Sequence, residues 1–169
     1  MKNITLIGMP GAGKSTIGVI LAKSLLCDFT DTDLIIQKRT GKSLCDLLNE
    51  KGTEGFLQFE NDIICQLRFE NCVIATGGSA VYGEKAMKML KETSTVVFLK
   101  VDIRELEARL SNINTRGVAM KNGTTIKELL TERLPLYEKY ADITLDCTGL
   151  TAEECVERIV TNSEFLPTK

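Results

Sequence analysis

The sequence contains no histidine among its 169 residues. This absence excludes a nucleophile that is activated by an imidazole base, and it excludes every metal site that requires an imidazole ligand. Any proton transfer in this chain has to use carboxylates, lysines or water. Reactions that depend mainly on positioning and on charge stabilisation tolerate this restriction well.

An excess of basic residues is also missing. Lysine and arginine together number 21 against 23 for aspartate and glutamate, so the formal net charge is -2. Proteins that bind nucleic acid neutralise its phosphates with clustered basic residues, and this composition therefore argues against a nucleic-acid partner. No apolar run is long enough to span a bilayer, so we expect no membrane association.

Cysteine is present without a metal-binding pattern. No two of the six form a C-x-x-C pair, which argues against a zinc site and against a disulfide framework. We expect the cysteines to fill the core in a reduced, cytoplasmic setting. They are Cys27, Cys45, Cys65, Cys72, Cys147 and Cys155. An apolar strand pattern begins at residue 4 and a glycine-rich loop follows it, so we expect no signal peptide.

The most informative segment is the stretch from Gly8 to Thr16, which follows the apolar run 4–7. It matches G-x-x-x-x-G-K-[ST], in which glycines let backbone N–H groups point at phosphate oxygens beside a helix N-terminus. Lys14 would then reach the β- and γ-phosphates, and the Ser15 hydroxyl would bind Mg²⁺. The alternative, a glycine-rich turn that binds nothing, is disfavoured by the strand before it and the helix after it. We therefore predict a nucleoside triphosphate site formed by Gly11, Ala12, Gly13, Lys14, Ser15 and Thr16.

Apolar, β-branched runs alternate with helical patterns along the whole chain. The predicted strands are 4–7, 28–30, 72–76, 95–101 and 142–146. The predicted helices are 14–26, 33–39, 43–50, 53–69, 84–91, 103–110, 125–141 and 151–162. This alternation indicates an α/β fold with a doubly wound parallel sheet, in one domain over 1–169. Ligands bind such sheets at the carboxyl ends of the strands.

Two carboxylates follow the second predicted strand. Asp31 and Asp33 flank a helix start, where one could bind Mg²⁺ through water and the other could accept a proton from an acceptor hydroxyl. The alternative is a helix N-cap, which aspartate also provides. Because a phosphate-binding loop needs a nearby carboxylate that binds the metal ion, we favour metal binding and proton transfer over helix capping alone.

Adjacent glycines follow the third predicted strand. Gly77 and Gly78 allow the backbone to approach a substrate closely and to offer N–H donors, although a tight turn would also explain them. Three arginines are the cationic candidates. Arg116 lies in a polar stretch that we interpret as a lid, Arg109 ends the preceding helix, and Arg133 lies in a helix that we expect Pro135 to interrupt. A solvated or ion-paired surface role is the alternative for Arg116 and Arg133.

Taken together, these segments resemble the shikimate kinase family of P-loop enzymes over nearly the whole chain. The matching segments, in chain order, are the phosphate-binding loop, Asp31-Thr32-Asp33, Arg39-Thr40-Gly41-Lys42-Ser43, Gly77-Gly78, the lid arginine and Arg133-Leu134-Pro135-Leu136-Tyr137. The resemblance implies a three-layer, five-stranded parallel sheet in the order 2-3-1-4-5. It also implies transfer of the γ-phosphate of ATP to the 3-hydroxyl of shikimate, with Mg²⁺ as cofactor.

The resemblance also implies residue roles on the nucleotide side. Lys14 would hold the β- and γ-phosphates, and Ser15 would bind Mg²⁺ with Asp31 behind it. Arg109 would lie against the adenine, and Arg116 would close on the phosphates from a lid at about 111–123.

On the acceptor side, the resemblance gives Asp33 the binding and activation of the acceptor hydroxyl. Gly77 and Gly78 would contact the substrate, and Arg133 would pair with its carboxylate. Residues 33 to about 60 would form the acceptor-binding subdomain. We expect a small-molecule substrate and a monomer or weak homodimer.

Three departures from the family pattern affect the acceptor side most. Leu57 stands where the family has a second substrate-binding arginine, Ser79 replaces a third glycine, and Gly117 replaces a proline after the lid arginine. A clear arginine for the adenine near 147–151 is also missing. Loss of one charge-assisted partner costs about 1.5–3 kcal/mol, so a kinase of the same fold with another small hydroxylated acceptor remains an alternative. A nucleotide-dependent switch would need an N-K-x-D motif, which the sequence lacks.

Overall fold

The computed structural model describes residues 2–111, 118–119 and 123–161. Its centre is a five-stranded parallel sheet in the order β2-β3-β1-β4-β5. The strands are β1 (Asn3–Ile7), β2 (Asp28–Asp31), β3 (Cys72–Ala75), β4 (Ser94–Lys100) and β5 (Ile143–Asp146). The sequence-based fold class and the strand order implied by the family resemblance are both confirmed.

Helices connect the successive strands. They are α1 (Lys14–Leu25), α2 (Thr32–Thr40), α3 (Leu44–Cys65), α4 (Glu84–Thr93), α5 (Ile103–Ser111), α6 (Ile126–Tyr140) and α7 (Ala152–Thr161). A short 3₁₀ turn, Ala80–Tyr82, precedes α4. In the described part of the chain, no helix is long and apolar enough to cross a membrane.

The central strand β1 is buried at every position, from Asn3 to Ile7. It pairs with β3 on one side and with β4 on the other, as in the pairing of Ile4 with Val73 and with Thr95. Helices cover both faces of the sheet, which explains why β1 reads as a nearly continuous apolar run. The phosphate-binding loop leaves β1 where the strand order reverses, which is the usual ligand position in such sheets.

The predicted break between helices 43–50 and 53–69 is confirmed, because α3 is kinked at the non-helical residue Gly52 (φ 68°, ψ 174°). Two details differ from the sequence-based expectation. First, α3 ends at Cys65 instead of 69, and the N–H groups of Gln66 and Leu67 bond to carbonyls only three residues back, as in a 3₁₀ turn. Second, the expectation that Pro135 interrupts a helix is wrong, since α6 continues through it.

Candidate active site

The phosphate-binding loop wraps around the side chain of Lys14. The Lys14 ammonium donates hydrogen bonds to the carbonyl oxygens of Gly8 (2.8 Å) and Met9 (2.9 Å) and is only 8% exposed. Gly13, the N-cap of α1, has φ 89° and ψ 11°, a left-handed conformation that favours glycine. The first N–H groups of a helix have no carbonyl partner within that helix, so those of α1 can bind a ligand at the loop.

This loop fits a polyphosphate group. Gly11, Gly13, Lys14, Ser15 and Thr16 all line a single open cavity of about 300 Å³ at the carboxyl end of the sheet. A helix N-terminus with glycines and one ammonium group supplies the donors that bind phosphate oxygens. The six loop residues predicted from the sequence are contiguous here, although Ala12 is buried behind the loop.

The pair Ser15 and Asp31 fits a magnesium ion. The Ser15 hydroxyl donates a 2.6 Å hydrogen bond to Asp31 Oδ2, while Asp31 Oδ1 accepts from the backbone N–H of Asp33 at 2.9 Å. Asp31 is thus also the N-cap of α2, so the two interpretations of this residue are both satisfied. Hydroxyl and carboxylate oxygens are suitable ligands for Mg²⁺, which in kinases takes its other ligands from phosphates and water. In the described residues no group of three or more acidic or sulfur ligands forms a closed metal cage.

The same cavity extends from the loop to the side chains that the sequence assigned to the acceptor. Its wall away from the loop is formed by Asp33, Gln37, Ser43, Leu44, Cys45, Phe56, Thr76, Gly77, Gly78, Ser79, Val118, Ala119 and Arg133. The structure therefore brings the phosphate-binding loop and the predicted acceptor residues to one cavity.

Gly77 and Gly78 are closely surrounded. A Cβ atom at Gly77 would collide with Glu60 Oε1 and would lie 2.7 Å from Asp33 Oδ1. One at Gly78 would lie 2.7 Å from Pro10 and 3.1 Å from Arg133 Nη1. The two glycines are therefore required for close approach of the surrounding side chains, and they leave their backbone at the cavity wall.

Tyr137 holds this glycine segment through a hydrogen bond to its backbone. Its hydroxyl donates a 2.8 Å hydrogen bond to the carbonyl oxygen of Gly78, and its ring stacks on Phe98 with centroids 5.0 Å apart. Burial strongly raises the pKa of Tyr137, so the phenol keeps the proton that it donates.

Arg133 is fully buried (0% exposed), so the surface ion-pair alternative is wrong. Its guanidinium donates through Nη2 to the carbonyl oxygen of Ala119 and through Nε to the hydroxyl of Tyr82 at 3.3 Å. Nη1 has no hydrogen-bond partner among the described residues, and Arg133 lines the cavity. A buried cation with an unused donor at a cavity wall is suited to an anionic ligand group.

Sequence reasoning missed a buried carboxyl beside this cavity. Glu60 lies on α3 with 1% exposure, and its Oε2 accepts a 2.7 Å hydrogen bond from the hydroxyl of Ser79. Desolvation by burial raises the pKa of Glu60 to about 7. A signal existed: Glu60 is spaced from Phe56 and Ile63 as a core residue would be, so a charged residue stood on the buried face of a predicted helix.

A second, smaller cavity of about 200 Å³ lies on the other side of the loop. Arg109 lines it, donating to the carbonyl oxygen of Gly11 at 2.9 Å and pairing with Glu105. The other lining residues are Ala12, Gly13, Thr16, Ile17, Cys147, Leu150, Ala152 and Cys155. Arg109 thus lies next to the loop, beside a largely apolar recess. Arg116 and most of the predicted lid, 111–123, lie outside the described residues.

The fold and the phosphate-binding loop define the class: a P-loop phosphotransferase. The shikimate kinase family model matches residues 10–164. A shikimate kinase of Thermodesulfovibrio yellowstonii is 38% identical over 98% of this chain and 97% of its own length. One of Francisella tularensis subsp. novicida is 36% identical over 95% and 93%. The chain belongs to the shikimate kinase family.

Solved structures agree with this assignment. The shikimate kinase of Acinetobacter baumannii in complex with shikimate has a TM-score of 0.88 and 29% identity, covering 95% of this chain and 91% of that chain. A shikimate kinase from Bacteroides thetaiotaomicron has a TM-score of 0.81 and 30% identity. A thymidylate kinase of Candida albicans, at 15% identity and a TM-score of 0.59, shares the fold alone. The chain is therefore a phosphotransferase that acts on a hydroxyl group.

Proposed function

We propose that this protein transfers the γ-phosphate of ATP to the 3-hydroxyl of shikimate. The observation that carries the proposal is a single cavity that joins a phosphate-binding loop, the carboxylate of Asp33 and the unpartnered Nη1 of the buried Arg133. Membership in the shikimate kinase family supports the substrate. The related Acinetobacter enzyme, whose structure contains shikimate, supports it further.

On the nucleotide side, Lys14 and the N–H groups of the loop hold the β- and γ-phosphates in position. Ser15 and Asp31 hold the magnesium ion, which supplies charge neutralisation on the phosphates when bound. Arg109 lies against the adenine in the smaller cavity. The resemblance also gives Arg116 a role at the phosphates, from a lid at about 111–123, and this role stays a prediction because Arg116 lies outside the described residues.

On the acceptor side, Arg133 pairs with the substrate carboxylate and so fixes the orientation of the ring. Gly77 and Gly78 offer their backbone to the substrate without side-chain bulk. Asp33 accepts a hydrogen bond from the reacting hydroxyl and takes its proton as the new O–P bond forms, while the bond between the γ-phosphorus and the bridging oxygen breaks and ADP leaves. Residues 33 to about 60 act as the acceptor-binding subdomain.

A different hydroxylated acceptor is not favoured, although Leu57 motivates the question. The two relatives compared above, 36–38% identical to this chain over nearly its full length, are both shikimate kinases. The chain then uses one arginine, Arg133, in place of the two that the family pattern gives.

A coupled assay of ADP release tests the proposal. With millimolar shikimate and ATP–Mg²⁺, we expect turnover well above the rate without acceptor, and a product that is heavier than shikimate by one phosphoryl group. Quinate and other small hydroxylated acids serve as comparison acceptors. No turnover above background with shikimate would overturn the proposal, and preferential turnover of another acid would favour the alternative acceptor.

We also propose that the enzyme acts in the cytoplasm as a monomer or weak homodimer, without a nucleic-acid or membrane partner. All six cysteines carry unpaired thiols, as expected in a reducing compartment. The net charge of -2 supports the absence of a nucleic-acid partner.

A further inference from the structure

Glu60 and Ser79 form a hydrogen-bonded pair at the edge of the acceptor cavity. Ser79 lines the cavity and is 6% exposed, while Glu60 lies behind it with 1% exposure. The Ser79 hydroxyl donates its only proton in a 2.7 Å hydrogen bond to Glu60 Oε2. Glu60 Oε1 has no hydrogen-bond partner within the described part of the chain. An unpartnered carboxyl oxygen at this depth is costly for an ionised group.

The pair lies next to the arginine that faces the anionic end of the acceptor. Ser79 directly follows Gly78, and a Cβ atom at Gly78 would be 3.1 Å from Arg133 Nη1. Ser79 and Arg133 are therefore both neighbours of Gly78, and both line the same cavity. A carboxylate bound by Arg133 would gain a second donor if it also reached the Ser79 hydroxyl.

The protonation state of Glu60 decides whether Ser79 has a proton to give. The charged groups that face Glu60 are Asp33 from α2, Arg133 from α6 and Lys14 from α1. Desolvation raises the pKa of Glu60 most, the Ser79 hydrogen bond lowers it, Asp33 raises it and the two cations lower it, with a result of about 7. Near neutral pH this carboxyl thus exchanges between the acid and the carboxylate.

We propose that Glu60 and Ser79 act as a relay of hydrogen bonds to the acceptor carboxylate, in which protonated Glu60 donates to Ser79 and Ser79 donates to the carboxylate. This inference rests on the proposed function and concerns specificity for a carboxylate-bearing acceptor. No bond is made or broken, and both hydroxyl protons stay on their own oxygens. The relay gives the carboxylate a second partner in a chain that has Leu57 where its family pattern has an arginine. Glu60 is a positioning residue, because it acts through Ser79.

The relay couples acceptor binding to proton uptake. Ionised Glu60 accepts the Ser79 proton, which leaves no donor for the acceptor, and its charge repels the acceptor carboxylate. Binding therefore favours the protonated form and raises the pKa of Glu60 further. Since the fraction protonated falls above pH 7, the affinity for shikimate falls as the pH rises through that range.

The test measures the KM for shikimate from pH 6 to pH 8.5 in the full-length enzyme. In the wild type we expect KM to rise above pH 7, approaching tenfold per pH unit, while the KM for ATP serves as the internal control. Calorimetric titration with shikimate at pH 7.5, in two buffers of different ionisation enthalpy, should show net proton uptake. A flat KM without proton uptake would overturn the relay.

Two variants separate the relay from a merely structural role. In Glu60→Gln the amide donates to Ser79 without titrating, so we expect a KM within about threefold of wild type at pH 6 and no rise above pH 7. In Ser79→Ala the donor is lost, so we expect a KM about three- to tenfold higher at pH 6 and a reduced pH dependence, with kcat within about twofold. Asp62→Asn, at an exposed position on the same helix and outside the acceptor-binding subdomain, should match wild type.

The outcomes distinguish the two proposals. A wild-type pH profile in Glu60→Gln, or an unchanged KM in Ser79→Ala, would overturn the relay while shikimate phosphorylation stands. If the wild type neither turns over shikimate nor binds it by calorimetry, the proposed function fails and the relay fails with it. If Glu60→Gln does not fold, the comparison of Ser79→Ala with wild type decides by itself.

Discussion

The hydroxyl of Ser15 donates a 2.6 Å hydrogen bond to the carboxylate of Asp31, across the carboxyl end of the intervening strand β3. Ser15 follows β1 and Asp31 ends β2, and these strands are not neighbours in the sheet. The bond therefore links the phosphate-binding loop to the start of α2, which carries Asp33.

Replacing Asp31 with asparagine should separate metal binding from helix capping. Asparagine caps a helix as well as aspartate does, so we expect the thermal midpoint to stay within about 2 °C of wild type. The Mg²⁺ concentration for half-maximal activity should rise about tenfold, because one charged ligand is lost. Asp28→Asn, an exposed position on the same strand, is the matched control. An unchanged Mg²⁺ dependence would contradict the metal assignment.

Removal of the Lys14 ammonium tests the phosphate site. We expect Lys14→Met to lower kcat/KM for ATP by at least about 100-fold, because a preorganised charge at the phosphates is lost. ADP release in the coupled assay measures the effect. Lys23→Met removes an exposed cation from the same helix and should be silent. Activity retained within tenfold in Lys14→Met would rule out this role.

Asp33 is tested by the isosteric change to asparagine. We expect kcat to fall by about 10²- to 10⁴-fold, since the amide does not accept the proton of the acceptor hydroxyl. Calorimetric affinity for ATP should remain close to wild type. Asp62→Asn, at an exposed site on α3, is the control. If Asp33→Asn leaves phosphoryl transfer to every tested acceptor unchanged, the catalytic assignment fails.

Position 57 offers a gain-of-affinity experiment. Leu57 is half-buried and packs against the apolar cluster that contains Ile36 and Phe56. Leu57→Arg should tighten shikimate binding by about ten- to a hundredfold, because a hydrogen bond to a charged group contributes about 1.5–3 kcal/mol. Leu57→Lys should gain less because it lacks the planar fork, and Leu57→Met should gain nothing. Unchanged or weaker affinity by calorimetry would show that the acceptor pocket has been remodelled.

The buried Glu60 also makes stability depend on pH. Its pKa rises from 4.5 in the unfolded chain to about 7 in the folded protein, so the folded state binds the proton more tightly. The resulting stabilisation is complete below pH 4.5 and is lost as the pH rises through 7, on the order of 3 kcal/mol. We expect denaturant unfolding to show this loss between pH 5 and pH 8.

Glu60→Gln provides the control for this stability prediction. The variant should show a nearly flat free energy of unfolding over the same range, because its amide does not titrate. The carboxyls whose pKa is lowered, such as those of Asp46 and Asp146, lose stabilisation only when the pH falls through their low pKa values. These carboxyls therefore do not change the free energy of unfolding between pH 5 and pH 8, where we expect Glu60 to dominate. A pH dependence that persists in Glu60→Gln would assign the effect to another group.

Much of the fold could be predicted because its signals are local. The buried parallel strands read as continuous apolar runs, as β4 (Ser94–Lys100) does. The phosphate-binding loop has fixed residues at fixed offsets, and Thr125 with Glu128 forms the capping box that starts α6. Pro135 misled the prediction because proline disrupts helices on average, whereas tertiary packing holds α6 together in this protein.

The candidate site was predictable only in part. Family resemblance pointed to Asp33 and Arg133, but local sequence could not distinguish a buried arginine from one on the surface. The Glu60–Ser79 pair joins residues 19 positions apart, and Glu60 belongs to none of the motifs that the sequence showed. Their contact depends on how α3 packs beneath the glycine segment.

The amino-acid sequence alone determined the succession of strands and helices along the chain and the position of the phosphate-binding loop. Both follow from backbone preferences within a few residues. Only the tertiary structure decided which polar groups lose their water. The burial of Arg133 and Glu60 beside one cavity depends on helices α6 and α3, which are distant in the chain. Desolvation sets the strength of a charge and the pKa of a carboxyl, and it is a property of the packed molecule rather than of any segment.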